Sequence, residues 1–144
     1  MKTMIILGVI VFVIIIYNFI KDVNAKEKEL MLQGGIKNKY RELISYFDDF
    51  DINKLPVILI DEPNFYQMGW SGQTTISSIC LFEVGDSLNI EFKIDYNIPS
   101  LQRSGIDVKK LPSIYKKKTW SYSNKMDQFE IIHLFAEEIK DFIS

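Results

Sequence analysis

Hydrophobic and polar positions divide this chain into two unlike parts. From Met4 to Ile20 the sequence reads MIILGVIVFVIIIYNFI, a run without a single charge in which Asn18 is the only strongly polar side chain. As a helix rising ~1.5 Å per residue, the run is about 25 Å long, slightly short of the ~30 Å hydrocarbon core of a bilayer. Thr3, with snorkelling by Lys2 and Lys21, makes up most of the difference. Tyr17 and Phe19 fall where an interfacial aromatic belt would lie. Many of these residues are β-branched, yet lipid offers the backbone no outside partner and so imposes the helix. Residues 1–22 are therefore expected to form a transmembrane anchor. The rival reading is a cleaved signal peptide, with Lys2 as its basic region and small residues at Val23 and Ala25 before the cut. Against it, the apolar run is longer than an ordinary signal core, and Lys21 and Asp22 occupy the would-be cleavage region. Cleavage at Ala25 would leave a secreted or periplasmic domain.

After the run the pattern changes. Residues 23–35 read as a charged linker, with Lys26-Glu27-Lys28-Glu29 solvated and Gly34-Gly35 breaking any continuous helix. Ile36, Tyr40, Leu43, Ile44 and Phe47 then recur at the spacing of one helical face, which predicts a helix over 36–47. Val57–Ile60 is a short apolar strand after Pro56. Phe65–Trp70 is a second, in which Phe65, Tyr66, Met68 and Trp70 crowd together. Successive strand residues face opposite ways. This strand is therefore either buried on both faces or bears an exposed aromatic surface suited to a partner.

The clearest alternation is Leu88, Ile90, Phe92, Ile94 and Tyr96 against Asn89, Glu91, Lys93 and Asp95, a half-buried strand. Gly85-Asp86 before it suits a two-residue hairpin turn. That turn fixes a register: Leu81 opposite Ile90, Ile79 opposite Phe92, Phe82 opposite Asn89, Cys80 opposite Glu91. Residues 97–116, with Pro99, Gly105 and Pro112, read as a long loop, and 119–122 as a last strand. A final helix is expected after a cap at Ser123 or Asn124, with Asp127 in its first turn. Its core stripe is read as Phe129, Ile132, Ala136, Ile139 and Ile143, widened by Phe135 and Phe142. Helix, strands, helix is the order of an α+β domain. The expectation is an N-terminal transmembrane helix and then one domain over 36–144, with an antiparallel sheet of about 4–5 strands and two helices packed on one face.

Composition narrows the function classes. The formal net charge is −2 over 144 residues, so the chain as a whole is no electrostatic nucleic-acid binder. A single cysteine, Cys80, excludes an internal disulfide framework and an all-cysteine zinc site. The charge is nonetheless polarised. Residues 97–118 carry Arg103, Lys109, Lys110, Lys116, Lys117 and Lys118 against Asp107. Residues 41–63 carry Glu42, Asp48, Asp49, Asp51, Asp61 and Glu62 against Arg41 and Lys54. The 103–118 loop is thus a candidate contact for anionic lipid or an acidic protein. Tyr115, Trp120 and Tyr122 beside it also suit base stacking, although nucleic acid is the weaker reading. Phe65, Tyr66 and Trp70 complete the candidate contact set.

Other constellations carry little chemistry. Asp48-Asp49-Phe50-Asp51 lacks the central glycine and closing glutamate of a calcium loop. Glu130-x-x-His133 has di-iron spacing in one copy only. Cys80 with His133 as base would make a small hydrolase, but no glycine elbow or helix N-terminus flanks the thiol. No catalytic, cofactor or metal motif is therefore assigned. Lysines on the C-terminal flank of the anchor (Lys21, Lys26, Lys28, Lys37, Lys39) outnumber those before it and favour a cytoplasmic domain. The opening, with Tyr17-Asn18 closing an aliphatic anchor and Gln33-Gly34-Gly35 after a charged linker, resembles small uncharacterised single-pass membrane proteins of bacteria; the resemblance covers about 35 residues and implies no activity. The expectation is a membrane-tethered, non-enzymatic binding or accessory module. The alternative is an immunity or inhibitor protein held at the membrane, with the acidic 41–63 region as its partner surface.

Overall fold

The computed structural model describes residues 2–50 and 54–143, with side chains from residue 8 onward. Asp51, and with it part of the aspartate-rich turn, lies outside the described residues. The first helix, α1, runs unbroken over Lys2–Leu32. It passes through what reads as a linker, because Ala25, Lys26, Glu27, Lys28, Glu29 and Leu30 are all good helix formers. About 18 Å of helix thus continues past Ile20. It ends at the two glycines: Gly34 and Gly35 take φ of +82° and +81°, and Gly34 N–H donates to the Met31 carbonyl. This left-handed exit is open to glycine at little cost.

The next helix is divided. α2 (Gly35–Lys39) and α3 (Arg41–Asp48) meet at Tyr40, whose φ/ψ of −111°/37° is not helical. The stripe expected there still holds, since Ile36, Tyr40, Leu43, Ile44 and Phe47 are all buried. Gln128 holds the break together. Its Oε1 accepts from the N–H groups of Glu42 and Leu43, and its Nε2 donates to the Lys39 carbonyl. One side chain therefore caps the end of one helix and the start of the next.

Five strands follow as an antiparallel meander in spatial order β1-β2-β3-β4-β5. They are β1 (Val57–Glu62), β2 (Phe65–Ser71), β3 (Thr75–Val84), β4 (Ser87–Tyr96) and β5 (Lys116–Ser123). The β3–β4 register is the one the hairpin turn dictates, Cys80 opposite Glu91 and Leu81 opposite Ile90 included. Between β4 and β5 the chain is not all loop: α4 (Ile98–Arg103) and a 3-10 turn (Val108–Lys110) occupy it. β5 also begins earlier than the sequence suggests, so Lys116, Lys117 and Lys118 are strand residues paired with Ile94, Lys93 and Phe92. The last helix, α5, is Gln128–Ile143. Asp127 is its cap, accepting from Phe129 N–H.

The core lies between one sheet face and α2, α3 and α5. Tyr66, Met68, Trp70, Ile79, Leu81, Leu88, Ile90, Phe92, Trp120 and Tyr122 supply the sheet side, and Ile131, Phe135 and Ile139 the α5 side. The α5 stripe is therefore rotated from the expected one. Phe129 is 67% exposed and Ile143 is also exposed, while Ile131 and Phe135 are fully buried. Phe135 is the junction: its ring meets Phe47 and Trp120 edge-on, at centroid distances of 5.3 and 5.0 Å.

Candidate functional site

The apolar helix is the first functional feature. Across its described part, α1 has a window long and apolar enough to cross a bilayer, and none of that window is buried against the rest of the protein. A packed core helix would be covered. Among the described residues of α1, Leu30 is the one buried against the domain, and Lys26 Nζ lies 2.8 Å from Asp86 in the β3–β4 turn. This ion pair is exposed at both ends and adds little; Leu30 is the fastening. The lysine's ammonium is held above its usual pKa by the bond to Asp86, whose carboxyl is correspondingly lowered. Docking therefore occurs at the end of the sheet that holds the β1–β2 and β3–β4 turns.

The aromatic residues of β2 separate by face. Tyr66 and Trp70 are 2% and 6% exposed, so neither can form the surface expected of them; strand alternation turns both inward. Trp70 packs on Phe50. Phe65 alone faces the other way and stacks on Phe82, with centroids 5.9 Å apart.

The basic residues gather at one end without converging on one point. Arg103 sits at the end of α4, with Nε donating to the Pro99 carbonyl. Lys109 and Lys110 lie in the 3-10 turn, Lys110 3.5 Å from Asp107. Along β5 the three lysines alternate. Lys118 lies over Trp120 at 4.9 Å from the ring centre, and Lys117 on the outer face pairs with Glu91 at 2.8 Å. Consecutive lysines at the start of an edge strand also discourage a foreign strand from pairing there. Lys116, Lys117 and Lys118 belong to the half of β5 away from the α1 contact, since Lys116 pairs with Ile94 while Ser123 pairs with Ser87, and α4 starts at that end, where Asn97 bonds to Ser71 and Gly72. About 17–23 Å of β4 separates Lys118, Lys117 and Lys116 from the turn where α1 docks.

The outer sheet face carries a small polar system. Glu91 is nearly buried and receives Lys93 at 2.7 Å and Lys117 at 2.8 Å, with Thr119 Oγ1 also donating to it. Burial pushes its carboxyl up, but the hydrogen bonds from Lys117 and Lys93 outweigh that and hold it below the usual glutamate value. Ser121 donates to Asn89 at 2.6 Å. Cys80, buried beside Glu91, has its thiol pushed up by burial, the reverse of an activated nucleophile. His133 is exposed on α5 and lies 3.6 Å from Glu137. Cys80 faces away from the helices and His133 belongs to one of them, so the structure does not bring this pair together.

Two features were not singled out from sequence. β1 is an edge strand and its apolar residues are open to solvent: Val57, Ile58 and Leu59 are 62%, 51% and 54% exposed. Behind it, on the outer face, runs a groove of about 470 Å³ between Leu59, Gly69, Ile76, Lys93 and Tyr115. Gly69 forms its floor, because a Cβ there would come within 3.0 Å of the Leu59 side chain. A run of four aliphatic residues does not reveal whether its strand lies at the centre or the edge of a sheet; only the strand order does. Comparison with protein-family models, with curated proteins and with solved structures finds no match.

Proposed function

We propose that this chain is a single-pass, membrane-tethered binding module without catalytic activity, which holds its sheet at a bilayer surface for a protein partner. The observation that carries this reading is the dual character of α1. None of its described apolar window is buried against protein, yet the same unbroken helix is fastened to the domain at Leu30. A bare aliphatic helix is far cheaper in lipid than in water, and a fastened one fixes the domain's distance from that lipid.

Of the two partners suited to the basic residues, an acidic protein is better supported than anionic lipid. The attraction of lysine to a charged membrane fades within a Debye length, about 8–10 Å. Lys116, Lys117 and Lys118 stand about 17–23 Å along β4 from the turn that the anchor contacts. The lysine bias of the flanks favours a cytoplasmic domain. A photo-crosslinking residue placed at Lys109 or Lys116 of the full chain, in native membranes, tests the reading. The expected product is a protein adduct that Lys109→Glu/Lys110→Glu abolishes. Adducts of lipid mass only, or protein adducts formed equally from exposed Phe129 on α5, would contradict it.

A further inference from the structure

The face of α1 that meets the domain begins inside the apolar run. Phe19, Val23, Lys26 and Leu30 follow one another at 4-3-4 spacing, so they share one side of the helix. Together with Val84 and Gly85 of the β3–β4 hairpin and Asn64 of the β1–β2 turn, that side encloses a groove of about 470 Å³. Leu30 is buried at one end of it, but Phe19, Val23 and Val84 are 67%, 46% and 63% exposed.

The depth of the hairpin follows from the helix. Asp86 at the tip accepts from Lys26, which stands about 9 Å along α1 beyond Ile20. That is the outer border of a headgroup layer roughly 5–8 Å thick. The uncharged run is also about 5 Å shorter than the hydrocarbon it has to fill, which draws the bilayer further toward the tip. Val84 faces the same groove as Phe19 and so stands where acyl chains give way to headgroups.

We propose that the β3–β4 hairpin tip is a second membrane contact: Val84 enters the bilayer interface beside Phe19 and Val23, and phospholipid fills the groove between them. Continuity selects this occupant, because one wall of the groove is the anchor itself, and lipid already surrounds that anchor on its other sides. Charge selects the kind of lipid. Of the four charged residues lining the groove, Lys26 is paired with Asp86 and Glu83 with Lys39 at 2.6 Å. Asp22 and Glu27 have no ion-pair partner among the described residues. The groove thus offers anionic headgroups no attraction, and the contact is an apolar one with zwitterionic lipid. Anchored through α1 and seated again at the hairpin, the domain holds one attitude to the membrane, with the Thr75 end of β3 turned away from it.

This contact presupposes the tethered-module reading, and the test separates the two. The purified full chain, with an environment-sensitive fluorophore at Val84→Cys, is reconstituted into phosphatidylcholine vesicles containing nitroxide lipids. Quenching is compared with the same label at Ile76→Cys, which is also exposed on β3 but about 26 Å along the strand from Val84. Wild type, whose one cysteine is buried, reports background labelling. Val84→Cys should be quenched severalfold more than Ile76→Cys, most strongly by nitroxides near the headgroup, and equally with or without added anionic lipid. A label at Asn64→Cys, on the same groove, should also be quenched. It should lose most of that quenching when Val84→Asp is added, a substitution at an exposed position that leaves the fold intact. Equal quenching at Val84 and Ile76 overturns the proposal. So does quenching that appears only with anionic lipid, a blue-shifted label that no lipid nitroxide reaches, or a Val84→Asp that changes nothing. In all of these the chain still floats with the vesicles; a chain that does not float sinks the tethered-module reading as well.

Discussion

Gln128→Ala is the sharpest probe of how the domain is assembled. The Gln128 side chain makes three hydrogen bonds to backbone across the α2–α3 break, at 3.1, 3.2 and 3.0 Å. Each is worth about 0.5–1.5 kcal/mol net, and a buried backbone group left without a partner costs more than the bond it lost. These groups are only part-buried, so water recovers a share, and a loss of roughly 2–3 kcal/mol is expected. For a domain of this size that lowers the melting temperature by at least about 8 °C. Gln128→Glu separates the contributions. A carboxylate still accepts from the Glu42 and Leu43 N–H groups, with added benefit from the N-terminal end of α3, but cannot donate to the Lys39 carbonyl. It should fall between wild type and Gln128→Ala. The assay is thermal unfolding of the full chain in detergent micelles, followed by near-UV circular dichroism. Gln128→Ala melting within about 2 °C of wild type, a change under ~0.5 kcal/mol, would refute the clamp.

Two further outcomes follow from the packing and the charges. Phe135→Ala should destabilise by about 3–5 kcal/mol through the void it leaves between Phe47 and Trp120, while Phe129→Ala stays within about 0.5 kcal/mol; equal losses in chemical denaturation would mean that α5 presents a different face. Glu91 is held below its ordinary pKa, so the stability it adds is full above the unfolded-state value of about 4.3 and is lost as the pH falls through the lower folded value. Glu91→Gln should therefore melt lower than wild type at pH 7 and converge with it in acid; a constant gap from pH 7 to 3 would contradict the arrangement.

Much of the sheet was legible from the sequence because two signals there are strict. Period-2 alternation from Leu88 to Tyr96 and a glycine-bearing two-residue turn allow one register, and that register is the one found. The stripe from Ile36 to Phe47 was equally plain, although the break at Tyr40 was not, because it depends on a side chain 88 positions further along, at Gln128. α5 was misread by rotation. Its apolar arc is wide enough for two offset stripes to fit the 3-4 spacing; Asp127 as cap and the clamp at Gln128 decide between them.

The positions of the candidate contact residues follow from similar causes. Sequence marked Phe65, Tyr66 and Trp70 as one aromatic group, and the pleat sends Tyr66 and Trp70 inward and Phe65 outward. Lys116, Lys117 and Lys118 read as loop because lysine disfavours strands, yet pairing with β4 overrides that weak preference. The exposure of β1 was invisible, since it follows from strand order and not from the strand's own residues. The charged stretch after Ile20 was read as linker because its charges are solvated, and solvated charges are equally at home on a bare helix.

The central claim is that α1 lies in a bilayer while carrying a folded domain, and alkaline extraction of membranes from cells expressing the full chain tests it most directly. Intact mass is then measured on both fractions. The account predicts the complete chain, residues 1–144, in the membrane pellet. Complete chain released into the supernatant, or a product beginning at Lys26, would contradict it.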